Sequence, residues 1–141
     1  MRDIETIIIH ASATYPNMDI GADEIRQWHL DRGWSGIGYH YVIRRNGVIE
    51  TGRDLDSDGD IDEEVGAHAL GHNAHSIGVC LVGGKGMDDA PECNFTVAQW
   101  ESLAKLVSDL EARYPGVNVI GHRDVSDKAC PTFNAGAWWY G

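Results

Sequence analysis

Three absences in this 141-residue sequence exclude several classes of protein. Basic residues are scarce: 11 Lys and Arg stand against 22 Asp and Glu, which gives a net charge of −11. That charge disfavours binding to nucleic-acid phosphates, because such binding requires a basic face. No apolar run reaches the length of a membrane span, so membrane insertion is not expected. The N-terminal segment MRDIETIIIH is too short and too charged for a secretory signal, which predicts synthesis in the cytoplasm.

Cysteine is also sparse, and the count of three does not suit a disulfide framework. An odd number of cysteines in a chain without a secretory signal favours thiol or metal roles. Cys80 lies in the apolar segment IGVCLVG and is expected to be a small buried side chain. Cys93 lies in a polar stretch, where no role is predicted. Cys130, in the segment HRDVSDKACP, is the remaining candidate for chemistry.

The residues that are present predict one folded domain over residues 1–141. Hydrophobic residues make up 43% of the chain, with five Trp and five Tyr, and no repeat or linker is visible. Buried strands are predicted at 5–9, 76–84 and 117–122, with a hairpin at 39–52 around Asn46-Gly47. Helices are predicted from Ala22 to Arg32, from the capping box of Thr96 and Gln99 onward, and at 133–140. This alternation indicates an α/β fold with a mixed central sheet flanked by helices.

Two histidines each end an apolar run. His10 closes the segment IETIIIH and His122 closes VNVIGH, and Cys130 follows eight residues after the second. Two imidazoles and one thiolate form a three-ligand set for zinc, which leaves a fourth position for water as in catalytic sites. The alternative is that each histidine is a hydrogen-bonded structural residue at a strand end. The pattern nevertheless predicts a zinc hydrolase.

A longer series of motifs resembles one family. The segments IIIHASAT, EIRQWHLDRGW, GYHYVIRRNG, AHALGHNAHSIGVCLVGG, GHRDV and KACPTF follow one another across residues 6–139. In this order they resemble the zinc-dependent N-acetylmuramoyl-L-alanine amidases of phage-lysozyme (endolysin) type, which are related to the peptidoglycan recognition proteins. The resemblance implies their fold. It also implies cleavage of the amide between N-acetylmuramic acid and L-alanine in bacterial peptidoglycan.

The resemblance also implies roles for particular residues. It assigns zinc to His10, His122 and Cys130, and catalysis to Tyr39 and Lys128. Zinc activates water and polarises the amide carbonyl, and a lysine two residues before a ligand can stabilise the resulting oxyanion. A tyrosine beside the centre can hydrogen-bond the zinc-bound water or carry a proton to the leaving amine. Without the resemblance, Tyr39 is an ordinary strand residue and Lys128 a solvated loop residue.

A histidine-rich loop offers a rival metal site. His68 and His72 have the i, i+4 spacing of a helical metal pair, but two nearby glycines and the lack of an apolar face argue against a helix. The family pattern places this loop along the substrate groove. His68 and Asn73 are therefore expected to contact the muropeptide.

The acidic segment DLDSDGDIDEEV departs from the simplest phage pattern by its length and charge. Its spacing matches the opening of a calcium loop and predicts Ca²⁺ ligation by Asp54, Asp56, Asp58 and the Asp60 carbonyl. An EF-hand is not expected, because Val65 occupies the twelfth position, where such a loop has glutamate. The alternative is a solvated acidic loop.

Several functions fit these observations. The leading hypothesis is a phage or prophage endolysin that acts on the cell wall after release, as a monomer without a separate wall-binding domain. The alternatives are a cytoplasmic amidase of cell-wall recycling, a non-catalytic peptidoglycan-binding module, and a regulatory partner such as a polymerase inhibitor. Non-catalytic relatives typically lack the cysteine, so the presence of Cys130 with Tyr39 and Lys128 favours catalysis.

Overall fold

The computed structural model describes residues 2–141, which form a five-stranded sheet with helices on both faces. The elements are β1 (Thr6–Ala11), α1 (Ala22–Asp31), β2 (Tyr41–Ile43), β3 (Ile49–Thr51), β4 (Ser76–Leu81), α2 (Val97–Arg113), β5 (Asn118–Gly121), a 3₁₀ turn (His122–Asp124) and α3 (Ala135–Tyr140). The strand order is β3-β2-β4-β1-β5. Strands β2, β4, β1 and β5 are parallel and β3 is antiparallel, which confirms the predicted mixed sheet. Within the described residues, no helix is long and apolar enough to cross a membrane.

The two faces of the sheet bury different side chains. Alternation along β1 sends Ile7 and Ile9 into the larger core cluster, where they join Leu103 and other residues of α2. His10 points to the opposite face, as does its register partner Cys80, which belongs to the cluster under α1. The end of β1 therefore presents an imidazole on the α1 side of the sheet.

Helix α2 begins with the predicted capping box. The Thr96 hydroxyl accepts a hydrogen bond from the Gln99 amide (3.1 Å), and the Gln99 side-chain oxygen accepts one from the Thr96 amide (3.0 Å). The ring of Phe95 contacts Trp100 edge-on at 5.7 Å. Gln99 is fully buried, and its side-chain nitrogen also donates to the carbonyl of Ile43 in β2. The cap therefore also anchors the helix to the sheet.

The predicted hairpin forms with shorter strands than expected. Gly47 has a φ of +88°, which favours glycine, and the amide of Arg44 donates to the Val48 carbonyl across the loop at 2.9 Å. The strand segments cover only residues 41–43 and 49–51 of the predicted 39–52. Tyr39 therefore lies two residues before β2 rather than in it. Its carbonyl still accepts a hydrogen bond from the Arg53 amide (2.8 Å), so its position is fixed.

Asp62, at the end of the acidic segment, is a buried junction between this segment and α2. Its side chain is 8% exposed and accepts hydrogen bonds from Tyr41 (2.6 Å), Tyr114 and Arg113, which also forms an ion pair with it. Its backbone carbonyl accepts from the Arg2 guanidinium. Burial alone would raise the pKa of Asp62, but the three side-chain donors outweigh it and lower the pKa.

We predict that Asp62→Asn lowers the free energy of unfolding by about 1.5–3 kcal/mol at neutral pH, because hydrogen bonds to a charged acceptor are lost. A depressed carboxyl pKa contributes stability above its unfolded value, and this contribution is lost as the pH falls through the folded value. The difference between wild type and variant should therefore shrink in acid. Urea unfolding of both proteins at neutral pH and at acidic pH measures this difference. Asp109→Asn removes only an exposed pair with Lys105 and is the control; an equal loss at both pH values would contradict the assignment.

Candidate metal centre and adjoining groove

Three predicted ligands converge at the carboxyl ends of neighbouring strands. Because β1 and β5 are parallel and Ile9 pairs with Gly121, the next residues of each strand, His10 and His122, lie side by side. Their ring centroids are 4.5 Å apart. One ligand atom each of His10, His122 and Cys130 lies within 4.8 Å of the others. The sheet register thus brings the distant histidines together, and the loop after β5 returns the cysteine to them.

The donor atoms of this group fit zinc. The Sγ of Cys130 lies 4.0 Å from Nδ1 of His10, and it accepts a hydrogen bond from the Ala11 amide at 3.1 Å. Tetrahedral zinc with usual Zn–N and Zn–S bonds separates such atoms by about 3.5 Å. A small side-chain adjustment would therefore complete the ligation. Two imidazoles and one thiolate leave a fourth position, the donor set of catalytic rather than structural zinc.

The electrostatics of the centre also suit a cation. Burial lowers the pKa of His10 well below its usual value, so its ring is neutral and has a lone pair. Burial, followed by the charge of Lys128, also lowers the pKa of His122. Burial raises the pKa of the Cys130 thiol, which the Ala11 amide and Lys128 partly offset. A bound dication would favour the thiolate, as metal ligation generally does.

Tyr39 and Lys128 line the same cavity as the three ligands, a space of about 210 Å³. The ring centroid of Tyr39 lies 5.0 Å from that of His10. Burial raises the pKa of Tyr39 well above its usual value, so the phenol keeps its proton. Lys128 is exposed, and its backbone amide donates to the Ser126 hydroxyl. The structure therefore places a neutral phenol and an ammonium group around the candidate metal position.

A larger cavity of about 550 Å³ opens beside the centre. Its lining includes Trp34, Leu70 and Val125, and it shares His122 and Lys128 with the smaller cavity. The Leu70 side chain is almost fully exposed. This groove is continuous with the centre and is large enough for part of a polymeric substrate.

His68 and Asn73 line the groove, but both make internal contacts. The buried His68 ring places Nδ1 2.8 Å from Nε2 of His10, behind the candidate metal ligand. The side-chain oxygen of Asn73 accepts from the amides of His68 and Ala69, both at 3.0 Å. The loop is not helical, which agrees with the prediction that His68 and His72 do not form a helical metal pair. Substrate contact by His68 and Asn73 stays a prediction.

The acidic segment brings three predicted calcium ligands close together. Carboxylate oxygens of Asp54, Asp56 and Asp58 lie within 4.8 Å of one another. The Gly59 amide donates to Asp54, and the Asp60 amide donates to Asp58. Desolvation and the neighbouring carboxylates raise the pKa of Asp56 to about 6. Dense acidic groups are common on solvated surfaces, so calcium binding here, including the Asp60 carbonyl, stays a prediction.

Ser76, the first residue of β4, was not anticipated as part of the site. Its hydroxyl lies 3.2 Å from Nε2 of His68 and 2.7 Å from the His72 carbonyl. Ser76 lies within the segment AHALGHNAHSIGVCLVGG, but the segment does not predict this role, because the role depends on how the irregular loop before β4 folds back over the strand. Only the three-dimensional structure connects it to His10.

A three-donor centre beside a groove at the ends of parallel strands is typical of a catalytic metal site. The sequence model of the N-acetylmuramoyl-L-alanine amidase family (Amidase_2) matches residues 1–133, and the chain belongs to this family. The resemblance inferred from the motifs is thereby confirmed.

Individual relatives agree in sequence and in fold. The chain is 46% identical over 138 residues to the endolysin of Klebsiella phage KP32, covering 98% of this chain and 87% of the phage protein. The solved endolysin amidase LysCS from Clostridium intestinale URNW is 32% identical with a TM-score of 0.74, covering 92% of this chain and 76% of that one. Peptidoglycan-recognition protein LB of Drosophila is 25% identical with a TM-score of 0.71, covering 99% and 79%. These similarities confirm the fold.

Proposed function

We propose that this amidase is a zinc-dependent endolysin that cleaves the amide between N-acetylmuramic acid and L-alanine in the bacterial cell wall. The family supplies the reaction, and the endolysin relatives support the biological role. The observation that carries the zinc proposal is the convergence of His10, His122 and Cys130 within 4.8 Å. Zinc held by these residues supplies Lewis-acid activation of water and of the amide carbonyl.

Lys128 is proposed to stabilise the negative charge that develops on the carbonyl oxygen during attack. Its ammonium group lines the cavity that contains His10 and Cys130, and its charge is close enough to lower the pKa of both histidine ligands. A fixed positive charge at this point acts more strongly on the transition state than on the neutral substrate. Lys128 therefore contributes to turnover more than to binding.

Tyr39 is proposed to transfer a proton to the leaving amine. An amide nitrogen leaves poorly unless it is protonated as the C–N bond breaks. The Tyr39 phenol keeps its proton because burial raises its pKa, and its ring lies beside His10 in the same cavity. It can therefore pass its proton to the amine nitrogen while it takes up the proton that the attacking water loses, so that the phenol is restored.

The adjoining groove is proposed to bind the muropeptide. Trp34, Leu70 and Val125 offer apolar surface for the sugar faces or the stem peptide, next to the candidate centre. Because the side-chain oxygen of Asn73 is engaged by backbone amides, its amide nitrogen is the group that would donate to substrate. His68 would reach substrate only through the edge of its ring, since it is 8% exposed.

Digestion of purified peptidoglycan sacculi tests this function. We expect new L-alanine amino groups and no new reducing sugar ends, because an amide rather than a glycosidic bond is broken. New reducing ends would indicate a glycosidase. Tight binding to intact sacculi without any product would indicate a binding module. Turnover of soluble muropeptides alone, with intact sacculi unchanged, would indicate a recycling amidase.

A further inference from the structure

His10 has two ring nitrogens, and only one of them can serve the candidate metal centre. Nδ1 lies 4.0 Å from Cys130 Sγ, whereas Nε2 points away and lies 2.8 Å from Nδ1 of His68. A neutral imidazole carries its single proton on one nitrogen and a lone pair on the other. Metal binding through Nδ1 therefore requires the proton to be on Nε2.

The hydrogen bonds behind His10 determine where that proton lies. The His72 carbonyl can only accept, so the Ser76 hydroxyl, 2.7 Å away, must donate to it. The Ser76 oxygen is then the acceptor for Nε2 of His68, 3.2 Å away. With its proton on Nε2, His68 has a lone pair on Nδ1 that accepts from Nε2 of His10. The chain of donors thus leaves the Nδ1 lone pair of His10 facing Cys130.

The opposite direction is disfavoured. If the Ser76 hydroxyl donated to His68, two unprotonated oxygens would face each other 2.7 Å apart in a buried place. An unpaired buried acceptor is unfavourable, because it has lost its hydration without gaining a hydrogen bond. The reversed chain would also place the His10 proton on Nδ1, where it would block metal binding. A single backbone carbonyl therefore fixes the direction of the whole chain.

The surrounding backbone leaves space for the His68 ring. A Cβ atom added to Gly78 would lie 2.5 Å from Cγ of His68, and one added to Gly66 would lie 2.5 Å from Cδ2. Such distances are too short for any real contact, so both positions must lack a side chain. Asn73 holds the backbone at His68 from the other side. The ring is thus confined by the loop and by β4.

We propose that Ser76 and His68 are positioning residues that fix the tautomer and orientation of His10 for metal binding. This inference rests on the proposed zinc centre, in which His10 is a ligand. Outer hydrogen-bond partners of ligating histidines commonly change metal affinity by about 10–100-fold. In this role the ring of His68 acts through His10.

The first measurement is the protonation of the histidine rings, by nitrogen-15 NMR of the full chain with and without zinc. We expect the protons of both His10 and His68 on Nε2 in either state. A proton on Nδ1 of His68 would overturn the inference. This readout does not depend on activity. If the protein binds no zinc at all, the proposed function fails. The protonation of the two rings still shows the direction of the hydrogen bonds from His10 through His68 to Ser76.

The second measurement is the zinc Kd, from competition with a chelator. His68→Phe removes both ring nitrogens, and we expect binding to weaken by about 10–100-fold. His68→Gln, which can present an amide oxygen to His10, should recover part of the loss. His75→Ala removes an exposed histidine of the same loop and should leave Kd unchanged. Wild-type affinity in a folded His68→Phe variant would overturn the inference.

Ser76→Ala tests the same inference if the His68→Phe variant does not fold. It deletes one buried oxygen and leaves every ring in place, so the domain should fold. We expect weaker zinc binding and a mixture of His68 tautomers, because the acceptor that fixes the proton on Nε2 is gone. An unchanged zinc Kd together with an unchanged His68 tautomer would contradict the proposed series of hydrogen bonds.

Discussion

Cys130→Ser is expected to release the zinc and to lower kcat/KM by about 10³-fold or more, since the loss of Lewis-acid stabilisation is worth several kcal/mol. Serine has nearly the same shape, but its hydroxyl does not ionise at neutral pH and is a poor zinc ligand. Two histidines alone then hold the ion weakly. Metal analysis of the purified variant and peptidoglycan turnover measure the two effects together.

The matched control is Cys93→Ser, because Cys93 is exposed and lies outside the candidate centre. This variant should keep one zinc per chain and full turnover. The melting temperature of Cys130→Ser, measured against metal-free wild type, separates loss of the ligand from loss of the fold. A Cys130→Ser protein that retained stoichiometric zinc and near-wild-type turnover would refute the ligand assignment.

Lys128→Met is expected to lower kcat by about 10²–10³-fold, the usual cost of removing one group that stabilises an oxyanion. Methionine retains much of the side-chain length and apolar contact while removing the charge. Because the ammonium acts on charge that develops in the transition state, KM should change much less than kcat. Zinc content should remain one per chain, which distinguishes this variant from Cys130→Ser.

Lys105→Met provides the control for Lys128, since Lys105 lies exposed on α2 and forms an ion pair with Asp109. It should leave kcat unchanged. A Lys128→Met variant with wild-type kcat would exclude the proposed role. A variant whose loss is restored fully by excess zinc would instead assign Lys128 to metal retention.

The sequence predicted most of the fold because its signals are local and periodic. The capping box of Thr96 and Gln99 marks the start of α2, and the Asn46-Gly47 pair marks the hairpin. The pairing of His10 with His122 was also predictable, because adjacent parallel strands end at the same edge of a sheet. Cys130 was joined to them by the ligand chemistry of its thiol and by the family motifs, since its loop has no periodicity that would predict its position.

The sequence did not reveal what surrounds the centre. Substrate contact by His68 stays a prediction, but no sequence signal indicates that its ring also lies 2.8 Å from the His10 ring, because the irregular loop before β4 sets its direction. Nothing in the sequence distinguishes Asp62 from the neighbouring acidic residues, but it is buried among two tyrosines and an arginine that are distant in sequence. Such contacts depend on tertiary structure rather than on local pattern.

Zinc removal and restoration in the wild-type chain test the central claim most directly. The chain is first stripped with a chelator, and amidase turnover of purified peptidoglycan is then followed as zinc is added back. We predict no turnover without metal, a linear rise to one zinc per chain and a plateau beyond it, with L-alanine amino groups as the new ends. Full turnover by the verified metal-free chain would contradict the account.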